Sequence, residues 1–204
     1  WFDTEMTVRE TPFGPVVSDA PLVPSAGEGV EIALRWMGHQ PSDEITSMLR
    51  VSQAGDFAQF RDALDGFHVP GQNMVYADAA GHIGQVMAVK LPSRSTTPPA
   101  DVLVSPNGAD VWENTVTATD LPVAFDPPEG FVASANNKPA NADVAVGWHF
   151  SNDDRISRLR DLLSGDKTIG IADLEALQRD VYMPSAVALR DLLVGQLERS
   201  GVTL

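Results

Sequence analysis

The chain contains no cysteine among its 204 residues. That excludes disulfides, thiolate nucleophiles and cysteine-based zinc sites, and leaves the cellular compartment open. Positive charge is scarce: 14 Lys and Arg stand against 28 Asp and Glu, a net charge of −14. Such a balance repels nucleic acid and anionic membrane surfaces, so neither is expected as a partner. No apolar run is long enough to span a bilayer. G-x-S-x-G, H-E-x-x-H and the phosphate-binding G-x-x-x-x-G-K-[ST] are all absent, and Gly27-Glu28-Gly29 lacks the third glycine of a dinucleotide fingerprint. His39, His68, His82 and His149 fall in separate predicted elements without i, i+4 pairing, which reads as structural histidines rather than ligands. No metal site is expected from this set.

What the chain does have is an ordered pattern of elements, with length for one good-sized core or two small ones. Met6 to Arg9 and Pro15 to Val17 flank Thr11-Pro12-Phe13-Gly14 and read as two strands joined by a tight turn. A Pro-, Ser- and Gly-rich loop from Asp19 to Gly29 leads to a strand-like run, Val30 to Met37. Ser42-Asp43-Glu44 offers an N-cap for a helix over Glu44 to Ser52, and Asp56 starts another through Leu64. Phe57, Phe60 and Leu64 recur at helical spacing and read as core. Met74 to Ala77 and Ile83 to Val89 flank Asp78-Ala79-Ala80-Gly81 as a β-hairpin. Leu91 to Phe125 is mostly loop, with turn residues at Ser105-Pro106-Asn107-Gly108. Helices close the chain: an apolar face of Ile156, Leu159, Leu162 and Leu163, a second helix over Ile171 to Tyr182 opened by Thr168, and a third over Ala186 to Arg199. Strands dominate 1–150 and helices 151–204, which predicts an α+β fold rather than a parallel doubly wound one.

The richest segment is Phe131-Val132-Ala133-Ser134-Ala135-Asn136-Asn137-Lys138-Pro139. Phe131 to Ala135 suits a buried strand, and an amide pair at its end needs hydrogen-bond partners. Two readings stand. As a turn, Asn tolerates the left-handed region and bonds its own backbone. As a catalytic donor, an Asn amide can aim its NH2 at an oxyanion without bringing a titratable charge. Asp153 and Asp154 precede a predicted helix, where carboxylates cap and complement the dipole.

Arg9 to Asp19, Ala33 to Trp36, Gln72 to Gly84, the Asn pair and Asp154-Arg155 form an ordered series. In that order it resembles the β subunit of the penicillin acylase family of N-terminal nucleophile hydrolases, which includes cephalosporin and acyl-homoserine lactone acylases. The likeness runs from about Met6 to the C-terminal helices. It implies part of a layered αββα fold, antiparallel strands followed by helices. It implies cleavage of a linear amide, a β-lactam side-chain amide or an N-acyl-homoserine lactone, by an N-terminal Ser, Thr or Cys whose own α-amine is the base. Trp1 can do neither job. The chain is therefore expected to be an interior segment of a larger enzyme, inactive alone, whose partners are a small-molecule amide and the remaining portions of the parent α/β heterodimer.

The resemblance assigns Asn136 as the side-chain oxyanion donor and Arg155 as the arginine that organises the active site around the nucleophile. A surface ion pair with Asp153 or Asp154 is the other reading of Arg155. Gln72 and Met74 fall where the family lines its acyl pocket; the family usually has an apolar side chain where Gln72 stands. Some members hold a structural calcium, and Asp143 lies near that stretch at a different spacing, so no cofactor or metal is expected here. The family also implies a periplasmic or secreted location. A non-catalytic scaffold or binding module on the same architecture is the alternative.

Overall fold

A computed structural model describes residues 3, 5–23, 27–93, 112, 114–139, 144–165 and 168–201. They fall into two compact units, Trp1–Gln72 with Met87–Leu121, and Asn73–Val86 with Pro122–Leu204. Asp143 and the turn at residues 105–108 lie outside the described residues.

The first unit opens with a short antiparallel ladder, β1 (Glu10–Thr11) against β2 (Gly14–Pro15). The turn between them depends on Gly14: φ is +118°, and a Cβ there would lie 2.1 Å from the Leu34 carbonyl oxygen. The expected strand over Val30 to Met37 forms only a single bridge, Val16 to Ala33, and ends in a 3-10 turn over Met37–His39. Pairing is confined to Val17 N–H on the Ile32 carbonyl (2.8 Å) and Leu34 N–H on the Pro15 carbonyl (2.9 Å). Pro15 has no N–H with which to extend the ladder. Met6 to Val8 precede the ladder instead of forming it, while the Arg9 carbonyl extends it by accepting the Val16 N–H at 2.8 Å. The Arg9 side chain gathers two acids, Glu31 at 2.6 Å and Asp19 at 2.8 Å.

Two helices follow as the caps predict. Asp43 accepts the Thr46 N–H at the start of α1 (Glu44–Val51), and Asp56 accepts the Gln59 N–H at the start of α2 (Phe57–Leu64). Phe60 and Leu64 are buried, Leu64 completely, and Phe57 stacks on Phe60 with ring centroids 6.3 Å apart. Glu44 reaches beyond its own helix to the N–H groups of His68 (3.3 Å) and Val69 (3.1 Å). Asp65 takes the Thr117 hydroxyl (2.5 Å) and the Thr119 N–H (3.1 Å), while Arg61 donates to the carbonyls of Thr119 and Leu121. These bonds hold the 117–121 loop on α2, beside β5 (Leu91–Pro92) and β6 (Thr115–Val116), which pair antiparallel.

The second unit is built on a three-stranded sheet in the order β3 (Gln72–Ala77), β4 (Ile83–Ala88), β7 (Val123–Phe125). Gln72 at the start of β3 and Met87 and Ala88 at the end of β4 belong to the first unit. Asp78 makes the hairpin turn: one carboxylate oxygen accepts from Ala80 and His82 N–H groups, the other from the Tyr76 hydroxyl. Past β7, Asp126 sits at φ 44° and accepts from Ile83 N–H (2.9 Å) and His82 Nδ1 (2.6 Å). The carboxylate raises the affinity of that ring for its proton.

No strand forms over Phe131 to Ala135. The Ala135 N–H goes to the Asn137 side chain rather than to a neighbouring strand, so the amide competes with the ladder. The chain then enters α3 (Asp154–Leu163), α4 (Ile171–Gln178) and α5 (Pro184–Arg199). Gly170, not Thr168, is the N-cap of α4, with its N–H on Asp173 at 2.9 Å. That helix stops before Tyr182 because Asp180 turns the chain, accepting the Tyr182 N–H and the Arg158 guanidinium. Pro184 then starts α5 two residues earlier than the pattern predicts, at the first helical position where its missing N–H costs nothing. Leu189, Leu192 and Leu193 on α5 are 56, 64 and 54% exposed.

Two outcomes follow from this packing. Leu64→Ala should cost about 2–5 kcal/mol, the range for emptying a fully buried leucine site, measured by urea denaturation. Glu44 is held at about 2, first by the Ser42 hydroxyl and then by the Val69 and His68 N–H groups, below its ordinary 4.5. A depressed carboxyl stabilises the fold above its unfolded value and loses that contribution as pH falls through the folded one. Glu44→Gln should therefore lower the melting temperature at neutral pH, with the gap to the parent closing between 4.5 and about 2.

Candidate active site

Asn136 and Asn137 divide the two roles that an amide pair can take. Asn137 serves the backbone: its Oδ1 accepts the Ala135 N–H at 3.1 Å and its Nδ2 donates to the Lys138 carbonyl at 3.2 Å. Asn136 adopts φ 58°, a left-handed conformation that asparagine tolerates better than most residues, and its side chain is left out of the turn. The turn reading thus applies to Asn136 through its backbone and to Asn137 through its side chain.

The free amide of Asn136 meets Arg155. Arg155 Nη2 donates to Asn136 Oδ1 at 3.1 Å. A guanidinium has donors only, so the amide atom facing it is the oxygen and the NH2 is directed elsewhere. Among the described residues that NH2 has no hydrogen-bond partner, and Asn136 is exposed. An oriented N–H donor without a partner, open to an incoming molecule, suits a developing negative oxygen. The surface ion pair of Arg155 with Asp153 or Asp154 does not form; among the described residues its guanidinium has no carboxylate partner.

Both groups come from one stretch of backbone. The Ser151 N–H donates to the Asn136 carbonyl at 3.1 Å, so the approach to α3 lies against the Asn136 loop before Arg155 closes on the side chain. α3 is tied down by Arg158, which grips Asp180 at 2.7 Å and lies over the Tyr182 ring at 4.7 Å. Each partner favours the charged form of the other, with the Asp180 carboxyl lowered chiefly by Arg158.

Asp153 and Asp154 do not behave as ordinary caps. Asp153 is the N-cap of α3 but makes no side-chain cap bond. Asp154 is buried and turns to α5, accepting the Ser185 N–H at 2.8 Å. A sequence signal for this exists: α5 begins Pro184-Ser185 after Met183, a residue with no strong acceptor to cap it, so its cap has to come from elsewhere.

Gln72 and Met74 lie at alternate positions on β3, Gln72 exposed in the first unit and Met74 half-buried in the second. Gln85 donates to Asn73 between them at 3.1 Å. The histidines are dispersed: His82 pairs with Asp126, and His39 meets Trp36 edge-on at 5.7 Å. Among the described residues no Ser or Thr hydroxyl is bonded to a histidine, and no group of three or more His, Asp or Glu is placed to hold a metal ion.

Comparison with known proteins establishes the family and the fold. The penicillin acylase 2 proenzyme of Pseudomonas sp. (strain SE83) is 27% identical over 205 residues, covering 98% of this chain and 25% of that protein. The acyl-homoserine lactone acylase QuiP of Pseudomonas fluorescens is 28% identical over 191 residues, covering 91% and 23% respectively. The chain thus spans about a quarter of the length of these relatives. Among solved structures, the thermostable penicillin G acylase from Alcaligenes faecalis superposes with a TM-score of 0.65 at 24% identity, over 88% of this chain and 32% of that one, which shows a shared α+β fold. The family model for penicillin amidase matches residues 3–203, nearly the whole length, and the chain belongs to the penicillin amidase family.

Proposed function

We propose that the complete enzyme containing this chain cleaves linear amides, of the β-lactam side-chain or N-acyl-homoserine lactone kind, through an acyl-enzyme on an N-terminal serine that this sequence does not contain. The observation that carries the reading is the Arg155–Asn136 hydrogen bond, which turns the amide so that its NH2 is free. In the reaction the serine hydroxyl attacks the amide carbonyl carbon, and its proton passes to the α-amine of the same residue. The carbonyl oxygen becomes an oxyanion, and the Asn136 NH2 donates to it. Collapse of the intermediate returns the proton to the leaving amine and leaves an ester, which water hydrolyses by the same steps. Chemistry of this kind needs only side chains and backbone, and no cofactor or metal is assigned to it.

Gln72 and Met74 are proposed to line part of the acyl pocket from β3. A glutamine there favours an acyl group with a polar feature over a plain aromatic one, since an amide covered by bound substrate needs a partner. The remaining portions of the parent α/β heterodimer are the proposed macromolecular partner. Support comes from α5, which bears apolar side chains on every side although only one face packs on α3; a helix of that kind belongs in an interior. A periplasmic or secreted location belongs to the same proposal, and cell fractionation tests it.

Asn136→Gly keeps the left-handed backbone and removes the donor. In the complete enzyme it should lower kcat by about a hundredfold or more, with Asn137→Ala having much the smaller effect. Steady-state kinetics on a chromogenic acyl anilide measures both; equal or reversed effects would remove Asn136 from the oxyanion role. The chain by itself should turn over no acyl anilide, β-lactam amide or acyl-homoserine lactone, because positioning and one oxyanion donor have no nucleophile to assist. Turnover above that of a heat-treated sample would defeat the proposal that the serine lies elsewhere.

A further inference from the structure

We infer that Asp154 and Ser185 form a positioning clamp that sets the rotation of α3 and so holds Arg155 on Asn136; the inference rests on the oxyanion role proposed for Asn136. Asp154 is 8% exposed, the only buried acidic side chain among the described residues. A carboxylate in the first turn of a helix ordinarily serves the free N–H groups of that turn. This one does not. Its Oδ1 accepts the Ser185 N–H at 2.8 Å, and its Oδ2 accepts the Ser185 hydroxyl and the Asn152 side-chain amide, the latter at 3.1 Å. The start of α3 is thereby fastened to the start of α5, 31 residues along the chain.

Arg155 is the next residue. Successive side chains on an α-helix point about 100° apart, so a clamp on one fixes the bearing of the other. A rotation of α3 by about 20° would carry a side-chain tip about 6 Å from the axis through about 2 Å, enough to break a hydrogen bond. The bond at stake is the 3.1 Å contact from Arg155 to Asn136 Oδ1. Without it the amide rotates freely about its own side chain, and its NH2 is no longer aimed. Arg158 on Asp180 restrains α3 further along, but it lies almost one turn from Arg155 and acts on the chain before α5, not on its first turn.

A cap serving α5 alone would make the same contacts, so the test must separate stability from aim. In the complete enzyme, Ser185→Ala removes one hydroxyl at an exposed position and keeps the backbone N–H. It should lower kcat about tenfold with KM nearly unchanged, and Ser185→Thr should restore kcat, because small misplacements of a catalytic group act on the chemical step. In the Asn136→Gly background, Ser185→Ala should have no further effect on kcat, the signature of two residues acting as one unit. Additive losses, or a fall in melting temperature with kcat unchanged, would overturn the clamp. Asp154→Asn should reproduce the kcat loss; should it fail to fold, Ser185→Ala carries the same test. If Asn136→Gly is itself silent, the oxyanion reading fails and the clamp is judged separately by the Asn136 side-chain amide resonances. In Ser185→Ala these should move towards their positions in Arg155→Ala, and unmoved resonances would overturn it.

Discussion

Several backbone N–H groups at helix starts, turns and strand ends are satisfied in this chain by carboxylates, most of which reach across from other elements. Glu44 serves His68 and Val69, Asp65 serves Thr119, Asp78 serves Ala80 and His82, Asp126 serves Ile83, and Asp154 serves Ser185. Each bond satisfies a donor, and apart from those of Asp78, which close its own turn, each ties together two segments. The short ladders of the first unit and the loops of the second have few strand-to-strand bonds to hold them, so these anchors set the positions of α1, the hairpin and α3. The proposed site is inferred to take its geometry from the last of them.

The features legible in the sequence are those decided locally. Asp43 and Asp56 cap the helices they precede, Phe60 and Leu64 are core, and Asp78 to Gly81 turns a hairpin, because each depends on residues within one turn of each other. Of the two strands that do not form, Val30 to Met37 pairs with residues 15–17 at one bridge only, and Phe131 to Ala135 ends with its Ala135 N–H on the Asn137 side chain. Pairing is a property of the partner, and neither Pro15 nor the Asn137 amide advertises its interference in a hydrophobic pattern. The site divides in the same way. The roles proposed for positions 136 and 155 come from the family likeness, whereas the split between Asn136 and Asn137, the free NH2 and the reach of Asp154 to Ser185 are consequences of backbone dihedrals and distant contacts.

Family membership and fold account for the α+β architecture, and the two compact units contribute unequally to the proposed chemistry. Asn136, Arg155 and the elements that hold them belong to the second unit, together with Met74. The exposed leucines of α5 lie in that unit as well. Substitutions at Leu189, Leu192 or Leu193 would therefore be judged differently by the stability of the chain and by the assembly of a larger enzyme, since the first hardly uses those side chains and the second is proposed to cover them.

The carboxylate-to-amide anchors bear on ionic strength. A chain with net charge −14 repels itself most in dilute buffer. Added salt screens that repulsion over distances of about 10 Å, and would ordinarily weaken surface salt bridges in the same stroke. Here ion pairs such as Arg9 with Glu31 and Arg158 with Asp180 share the fastening with carboxylates that accept from neutral N–H groups at contact distance, where screening has little to act on. Salt should therefore relieve the unfavourable long-range repulsion while leaving the carboxylate-to-amide bonds nearly intact, so dilute buffer is expected to be the harsher medium wherever that repulsion outweighs the ion pairs.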